Sequence, residues 1–158
     1  IKLWNYLGSH PFDKDAFDIP LTIEDQSNWV CLPHNEFSTF EQIRVAAENN
    51  ISICFGAAAI TLWEAISEKN SYANATINPS NTTEEMLAGL SYMIRCCFAH
   101  GTVVPKWKIS DKYKIIYKVS NKTVDLRAVD GKPFDYEAIG GYETLWLLKA
   151  EARANGLL

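Results

Sequence analysis

Residues 53–66, reading ICFGAAAITLWEAI, are apolar on nearly every side of a helix. A helix of that kind needs cover on most of its surface, so this stretch predicts a central helix with the rest of the chain gathered around it. Ser38 and Glu41 have the capping-box spacing, a hydroxyl followed three residues later by a carboxylate, and the helix is expected over residues 39–69. So long a helix could kink at Asn49 and Asn50 or at Gly56. The small run at residues 56–59 admits a neighbouring helix at close range. That neighbour is either residues 83–100 of the same chain or a second copy. The apolar run at residues 51–66 contains Ser52, Gly56, Thr61 and Glu64. It is shorter than the ~20 residues a bilayer span needs, so it reads as a core helix and not as a membrane segment.

A second helix is expected over residues 83–100. Thr82 and Glu85 repeat the capping box just after Pro79. Met86, Leu87, Leu90, Met93, Ile94, Cys97 and Phe98 recur at three- and four-residue steps and give one broad apolar face. Gly101 offers a left-handed stop, and Pro105 prevents continuation. The period then changes to two. Trp107 and Ile109 begin a strand pattern, and Tyr113, Ile115, Tyr117 and Val119 alternate with Lys114, Ile116 and Lys118. Ser120-Asn121-Lys122 is a turn, residues 123–126 pair back, and Asp130-Gly131 turns again. A last helix, residues 142–154, carries Leu145, Leu148 and Ala152 on one face with Trp146 at its margin. The fold class is therefore mainly α: a helical bundle with a small antiparallel β-hairpin insertion over residues 106–127. Residues 1–37 lack helical period and read as an N-terminal arm pinned to the body by aromatics such as Trp4, Tyr6, Phe12 and Trp29. Residues 38–158 form the domain.

The ends of that second helix carry the chemistry. Arg95 is followed by four residues, then His100 and Gly101. At ~100° per residue, a five-residue step sets two side chains roughly 140° apart. The pair converges only if the helix end deforms or if two copies pool their side chains at a two-fold seam. An imidazole with pKa near ~6.5 can move protons at neutral pH, and a guanidinium binds phosphate through a planar fork of donors. Together they suit metal-free cleavage of RNA, whose 2′-hydroxyl is the nucleophile. The plainer alternative is a histidine compensating the negative helix end and an arginine in a surface ion pair.

Charge is uneven along the chain. The net charge is −4, but residues 95–132 hold nine basic and three acidic residues. Lys106, Trp107, Lys108, Lys112 and Lys114 are candidate RNA contacts from that block, the lysines for phosphate and Trp107 for a base. The alternatives are lysines guarding a sheet edge and a tryptophan packed beneath the hairpin. Asp13, Asp15 and Asp18 form an acidic group that lacks the further oxygen ligands and turn glycine of a hard-metal loop. Cys31, Cys54, Cys96 and Cys97 show no metal-ligand spacing and read as reduced and buried. No metal and no cofactor is expected. The lack of a signal peptide points to the cytoplasm. The chain opens on Ile1, so an initiator or a longer N-terminus is expected before it. No Ser-His-Asp set, phosphate loop or zinc spacing supports a hydrolase of another kind.

An arginine, four to six residues and a histidine near the end of the second long helix resemble the signature of the HEPN superfamily. The likeness covers roughly residues 38–155 and lies more in layout than in identity. It implies a homodimer with a composite site, Arg95 and His100 as the catalytic pair, and metal-independent endoribonuclease activity. It also implies a setting in toxin–antitoxin or antiviral defence, with an antitoxin or regulatory protein as a further partner. Many members carry a polar residue directly after the arginine, where this chain has Cys96. Some toxin members carry a tyrosine two residues after the histidine, where this chain has Thr102. The alternative implied by the same resemblance is a non-catalytic dimeric module binding RNA, a nucleotide or a protein.

Overall fold

The computed structural model describes residues 39–72, 77–99, 101 and 104–158. The arm expected over residues 1–37, with its aromatics, the acidic group, Cys31, His10 and His34, lies outside them. The chain divides into two units, Ile1–Val45 and Ala46–Leu158. Of the first, only residues 39–45 are described, and they begin the first helix.

That helix, α1, spans Phe40–Asn70. Its cap lies one residue beyond the expected Ser38–Glu41 pair. Thr39 Oγ1 accepts from the Gln42 N–H, and Gln42 Oε1 accepts from the Thr39 N–H, both at 3.2 Å. This is a reciprocal capping box. The helix is assigned without a break through Asn49, Asn50 and Gly56.

The second helix, α2, spans Thr83–Ala99. Thr82 Oγ1 accepts from the Glu85 N–H at 3.1 Å, as the spacing predicts. Leu87, Leu90, Met93, Ile94, Cys97 and Phe98 are buried and Met86 is half-buried. The neighbour that Gly56 admits is α2 of the same chain. A Cβ built at Gly56 would lie 2.6 Å from Phe98 Cδ1. The contact is extended by Phe55 against Phe98, with ring centroids 5.5 Å apart, and by Trp63 against Tyr92 at 5.0 Å.

The cover of α1 differs from the expectation. Phe55, Ala59, Leu62, Trp63 and Ile66 are buried. Ile53, Cys54, Ala57, Ala58, Thr61 and Ala65 face outward, so the helix is packed on one side and not on most. By length and composition, Arg44–Asn70 is also long and apolar enough to cross a bilayer, against the expectation that it is too short; 39% of its window is buried within the fold. Glu64, Glu68 and Lys69 fall in its last turns, where hydrocarbon would be costly for them.

The β part is shorter than the predicted strand pattern. Strand β1 spans Ile116–Val119 and pairs antiparallel with β2, Lys122–Asp125, Tyr117 opposite Val124. Tyr117, Val119 and Val124 point inward while Lys118 is exposed. Tyr113 belongs to a 3-10 turn, Asp111–Tyr113, and Ile115 precedes the strand. Trp107 and Ile109 are buried, but they lie outside the named strands. Their segment pairs with residues 131–134. Trp107 N–H donates to Lys132 O, Gly131 N–H to Trp107 O, and Phe134 N–H to Pro105 O, each at 2.9 Å. Gly131, at φ +76°, makes the turn into this ribbon.

Strand β1 packs on α2 and on the third helix, α3, Glu143–Ala154. Gly140 and Gly141, at φ +86° and +92°, reverse the chain before α3. Leu145, Leu148 and Ala152 are buried and Trp146 is 67% exposed, as the sequence pattern predicts. Asn70 at the end of α1 donates to Leu157 O at 3.1 Å, which ties α1 to the chain's C-terminal turn. The described part is thus mainly helical with a two-stranded antiparallel sheet.

Candidate nucleic-acid interface

The end of α2 lies beside the ribbon, and both line one pocket. Cys97 is buried, and its thiol donates to Met93 O at 3.3 Å. Burial first, then the neighbouring Cys96, pushes the Cys97 thiol far above its usual range, so it stays protonated and unreactive. Cys96 is half-buried and Cys54 is exposed, which corrects the expectation that the cysteines are uniformly buried. Gly101 does not take the left-handed conformation expected of a helix stop; the positive-φ glycines among the described residues are 131, 140, 141 and 156.

Between the last turns of α2 and the ribbon opens a pocket of about 480 Å³. Cys96, Cys97, Gly101 and Val104 form one side, and Lys106, Trp107, Lys108, Asp130 and Gly131 the other. The strand-like alternation of residues 105–109 explains its character. Pro105, Trp107 and Ile109 turn inward, while Lys106 and Lys108 are exposed. Neither ammonium has a carboxylate within 4.0 Å among the described residues. Asp130 holds the far strand in place. Its Oδ1 accepts from the Ile109 N–H at 2.9 Å, and its Oδ2 lies 3.6 Å from Lys114 Nζ. The Ile109 N–H first, helped by the Lys114 ammonium, holds the Asp130 carboxyl below its usual range. The pocket therefore combines the buried Cys97 and Trp107, a strand held by Asp130, and two exposed cations in its lining.

The predicted site residues separate into groups. Lys106, Trp107 and Lys108 are brought together in the pocket. Trp107, however, is only 3% exposed and packs on Phe134, ring centroids 5.1 Å apart; the expectation that its face is free for a base gives way to packing beneath the ribbon. Lys112 and Lys114 are engaged elsewhere. Lys112 Nζ donates to Ile77 O at 2.9 Å and sits 4.9 Å from the Tyr113 ring centre. Lys114 Nζ donates to Asp111 at 2.9 Å, and that bond first, with the charge of Asp111, raises its pKa. Arg95 is half-buried and does not line the pocket. Its Nε is enclosed without a hydrogen-bond partner among the described residues; it is near enough to Tyr92, whose hydroxyl pKa is raised by burial and then by Cys96, for its charge to oppose that rise. His100 lies outside the described residues, so the distance between the two motif residues is not fixed.

Spacing missed Asp130-Gly131 and Cys96 as pocket walls. The Asp-Gly pair signals a turn, but which strand that turn would deliver is a tertiary matter. No three His, Cys, Asp or Glu residues among those described are close enough to hold a metal ion. No family model, no curated protein and no solved structure matches the chain.

Proposed function

We propose that this chain binds RNA at the pocket beside the end of α2 and cleaves it without a metal ion, as a cytoplasmic, homodimeric endoribonuclease of the HEPN kind. The observation that carries the reading is the pair of exposed ammonium groups, Lys106 and Lys108, which have no carboxylate within 4.0 Å among the described residues, on a pocket walled by the last turns of α2. These lysines draw a backbone phosphate to the mouth. His100 takes the 2′-hydroxyl proton, the freed oxygen attacks the adjacent phosphorus, and the 5′-oxygen leaves with a proton. The products are a 2′,3′-cyclic phosphate and a 5′-hydroxyl. Arg95, from one copy or its partner, stabilises the charge that builds on the phosphoryl oxygens. The biological setting this reading fits is toxin–antitoxin or antiviral defence, with a protein partner restraining the nuclease.

A second reading has its own support. Arg95 Nε is enclosed and the residue is absent from the pocket lining, which suits an arginine that holds the fold. The chain would then be a non-catalytic dimeric module binding RNA, a nucleotide or a protein at the same pocket.

The test is RNA cleavage by the purified chain in the presence of a chelator. His100→Ala and Arg95→Ala are each expected to abolish formation of the cyclic-phosphate end while circular dichroism and light scattering show a folded dimer. Salt-sensitive RNA binding without cleavage by the wild type selects the second reading. A chain that neither binds nor cleaves RNA sinks the nuclease, and one that also binds no nucleotide and no protein at this pocket sinks both.

A further inference from the structure

The outward side of α1 lies against α3 along an open groove of about 560 Å³. Ala57, Ala58, Thr61 and Ala65 give it a floor of small side chains, with Leu62 and Leu145 beneath. Trp146, 67% exposed, stands at one lip. Lys149 and Arg153 follow on α3 along the same lip. Neither has a carboxylate within 4.0 Å among the described residues. The Lys149 ammonium sits 5.8 Å from the Trp146 ring centre. An apolar channel edged by cations calls for an apolar helix edged by carboxylates.

Such a helix is present in the chain itself. On α1, Glu64 and Glu68 are one turn apart and exposed. Neither has an ion-pair partner among the described residues. At ~100° per residue, Glu64 projects from the edge of the outward face away from Leu62, hence away from the cationic lip, and Glu68 projects between the directions of Ala57 and Thr61, beyond the C-terminal end of the small-residue floor. The face between is small and apolar, which lets two helix axes approach to about 8 Å. We propose that this face is a two-fold homodimer surface: α1 of each copy lies in the groove of the other, and Glu64 and Glu68 of one copy pair with Lys149 and Arg153 of its partner. A two-fold interface uses one patch twice, so a face with an acidic edge and a basic edge complements its own copy. The same burial removes the small apolar side chains of the groove floor and Trp146 from water. This inference rests on the homodimer of the preceding reading and on nothing of its RNA chemistry.

Charge reversal tests it with a built-in rescue. Take the full chain as Lys149→Glu with Arg153→Glu, and separately as Glu64→Lys with Glu68→Lys. In each variant alone, like charges oppose one another twice across the seam. Each is expected to dissociate at about tenfold higher concentration than the wild-type dimer, or to be monomeric, in light scattering or sedimentation. Glu64, Glu68 and Arg153 are exposed and Lys149 is half-buried at the open lip, so circular dichroism should show unchanged folding. Mixing the two variants makes every facing pair complementary, and a heterodimer should form with near wild-type affinity. A monomeric wild type overturns the proposal. So does a dimer indifferent to both reversals, or variants that stay apart when mixed. RNA cleavage is scored separately: a dimer formed through this groove that cleaves nothing leaves the inference standing and removes the nuclease.

Discussion

One hydrogen atom sets how near α1 and α2 approach. A Cβ at Gly56 would sit 2.6 Å from Phe98 Cδ1 and 3.0 Å from Cγ, and the Phe98 ring is itself wedged against Phe55 and Phe134. Gly56→Ala gains at most about 1 kcal/mol of helix propensity but forces a strain of about 1–3 kcal/mol in a filled core. The expected outcome is a net loss of stability, seen as a lower denaturant midpoint. Phe98→Leu in the Gly56→Ala background should recover part of it, so the two changes are non-additive. A stabilised Gly56→Ala would mean that the helices are free to part. The lysines divide as sharply. Lys106→Gln with Lys108→Gln removes two charges that have no carboxylate partner among the described residues. For single-stranded RNA, the slope of log affinity against log salt should shrink by about 1.4. Lys112 and Lys114 are held by Ile77 O and by Asp111, and their glutamine variants should leave that slope unchanged. Equal effects from both pairs would disperse the site over the whole basic block.

Helix ends here are written in short-range chemistry. Thr82 accepts the Glu85 N–H at the head of α2, and Thr82→Ala should cost about 1 kcal/mol in thermal or chemical unfolding, with Thr82→Ser nearly silent. Short-range signals are also what made the elements legible. The expected helices at residues 39–69, 83–100 and 142–154 match Phe40–Asn70, Thr83–Ala99 and Glu143–Ala154, because caps, periodicity and the Gly140-Gly141 break act within a few residues. At the first cap, the Ser38-Thr39 pair offered two hydroxyls in a row, and pattern alone chose the wrong one. The strand pattern from Tyr113 onward ran ahead of the real hairpin because alternation records which residues are buried and not what their backbone pairs with. Tyr113 and Trp107 are buried as alternation implies, one in a 3-10 turn and the other in a ribbon stitched by Asp130. The cover of α1 was least legible: an apolar helix looks the same whether its own chain or another copy covers it. At the site, the local run Lys106-Trp107-Lys108 was readable, and so in principle was the pairing of Lys114 with Asp111 three residues before it, whereas the engagement of Lys112 depends on Ile77, far away in sequence.

Among the described residues, the three helices and the hairpin meet on tyrosines, and this gives the described part a preferred direction of failure. Tyr113 and Tyr117 are both fully buried. Burial pushes the Tyr113 hydroxyl up to about 12 and raises Tyr117 further; Tyr72, Tyr92, Tyr136 and Tyr142 are raised as well, burial leading in each. An unfolded tyrosine ionises near ~10. Between that value and the folded one, the unfolded chain holds fewer protons than the native one, so stability falls as pH rises. The tyrosine contribution is complete below about pH 10 and is lost through about 12 for Tyr113. On the acid side, no carboxylate cluster of this kind is buried among the described residues. Asp125, held at about 2 by its bonds to Arg127, contributes above its unfolded value and loses that as pH falls through about 2, but it is solvent-exposed. Alkali should therefore unfold the chain in one cooperative step, with the rise in phenolate absorbance coinciding with the loss of helical dichroism. Tyr117→Phe separates this cause from general charge repulsion. The Tyr117 hydroxyl donates to Tyr113 O at 3.1 Å, and that carbonyl also accepts from the Ile115 N–H at 2.9 Å, so the variant leaves no orphaned acceptor and should be close to wild type at neutral pH. Its alkaline midpoint should move upward, because one group whose ionisation drives unfolding is gone. Phenolates that titrate freely near pH ~10 while the dichroism stays native would show that these rings are open to water and that the elements do not close on them.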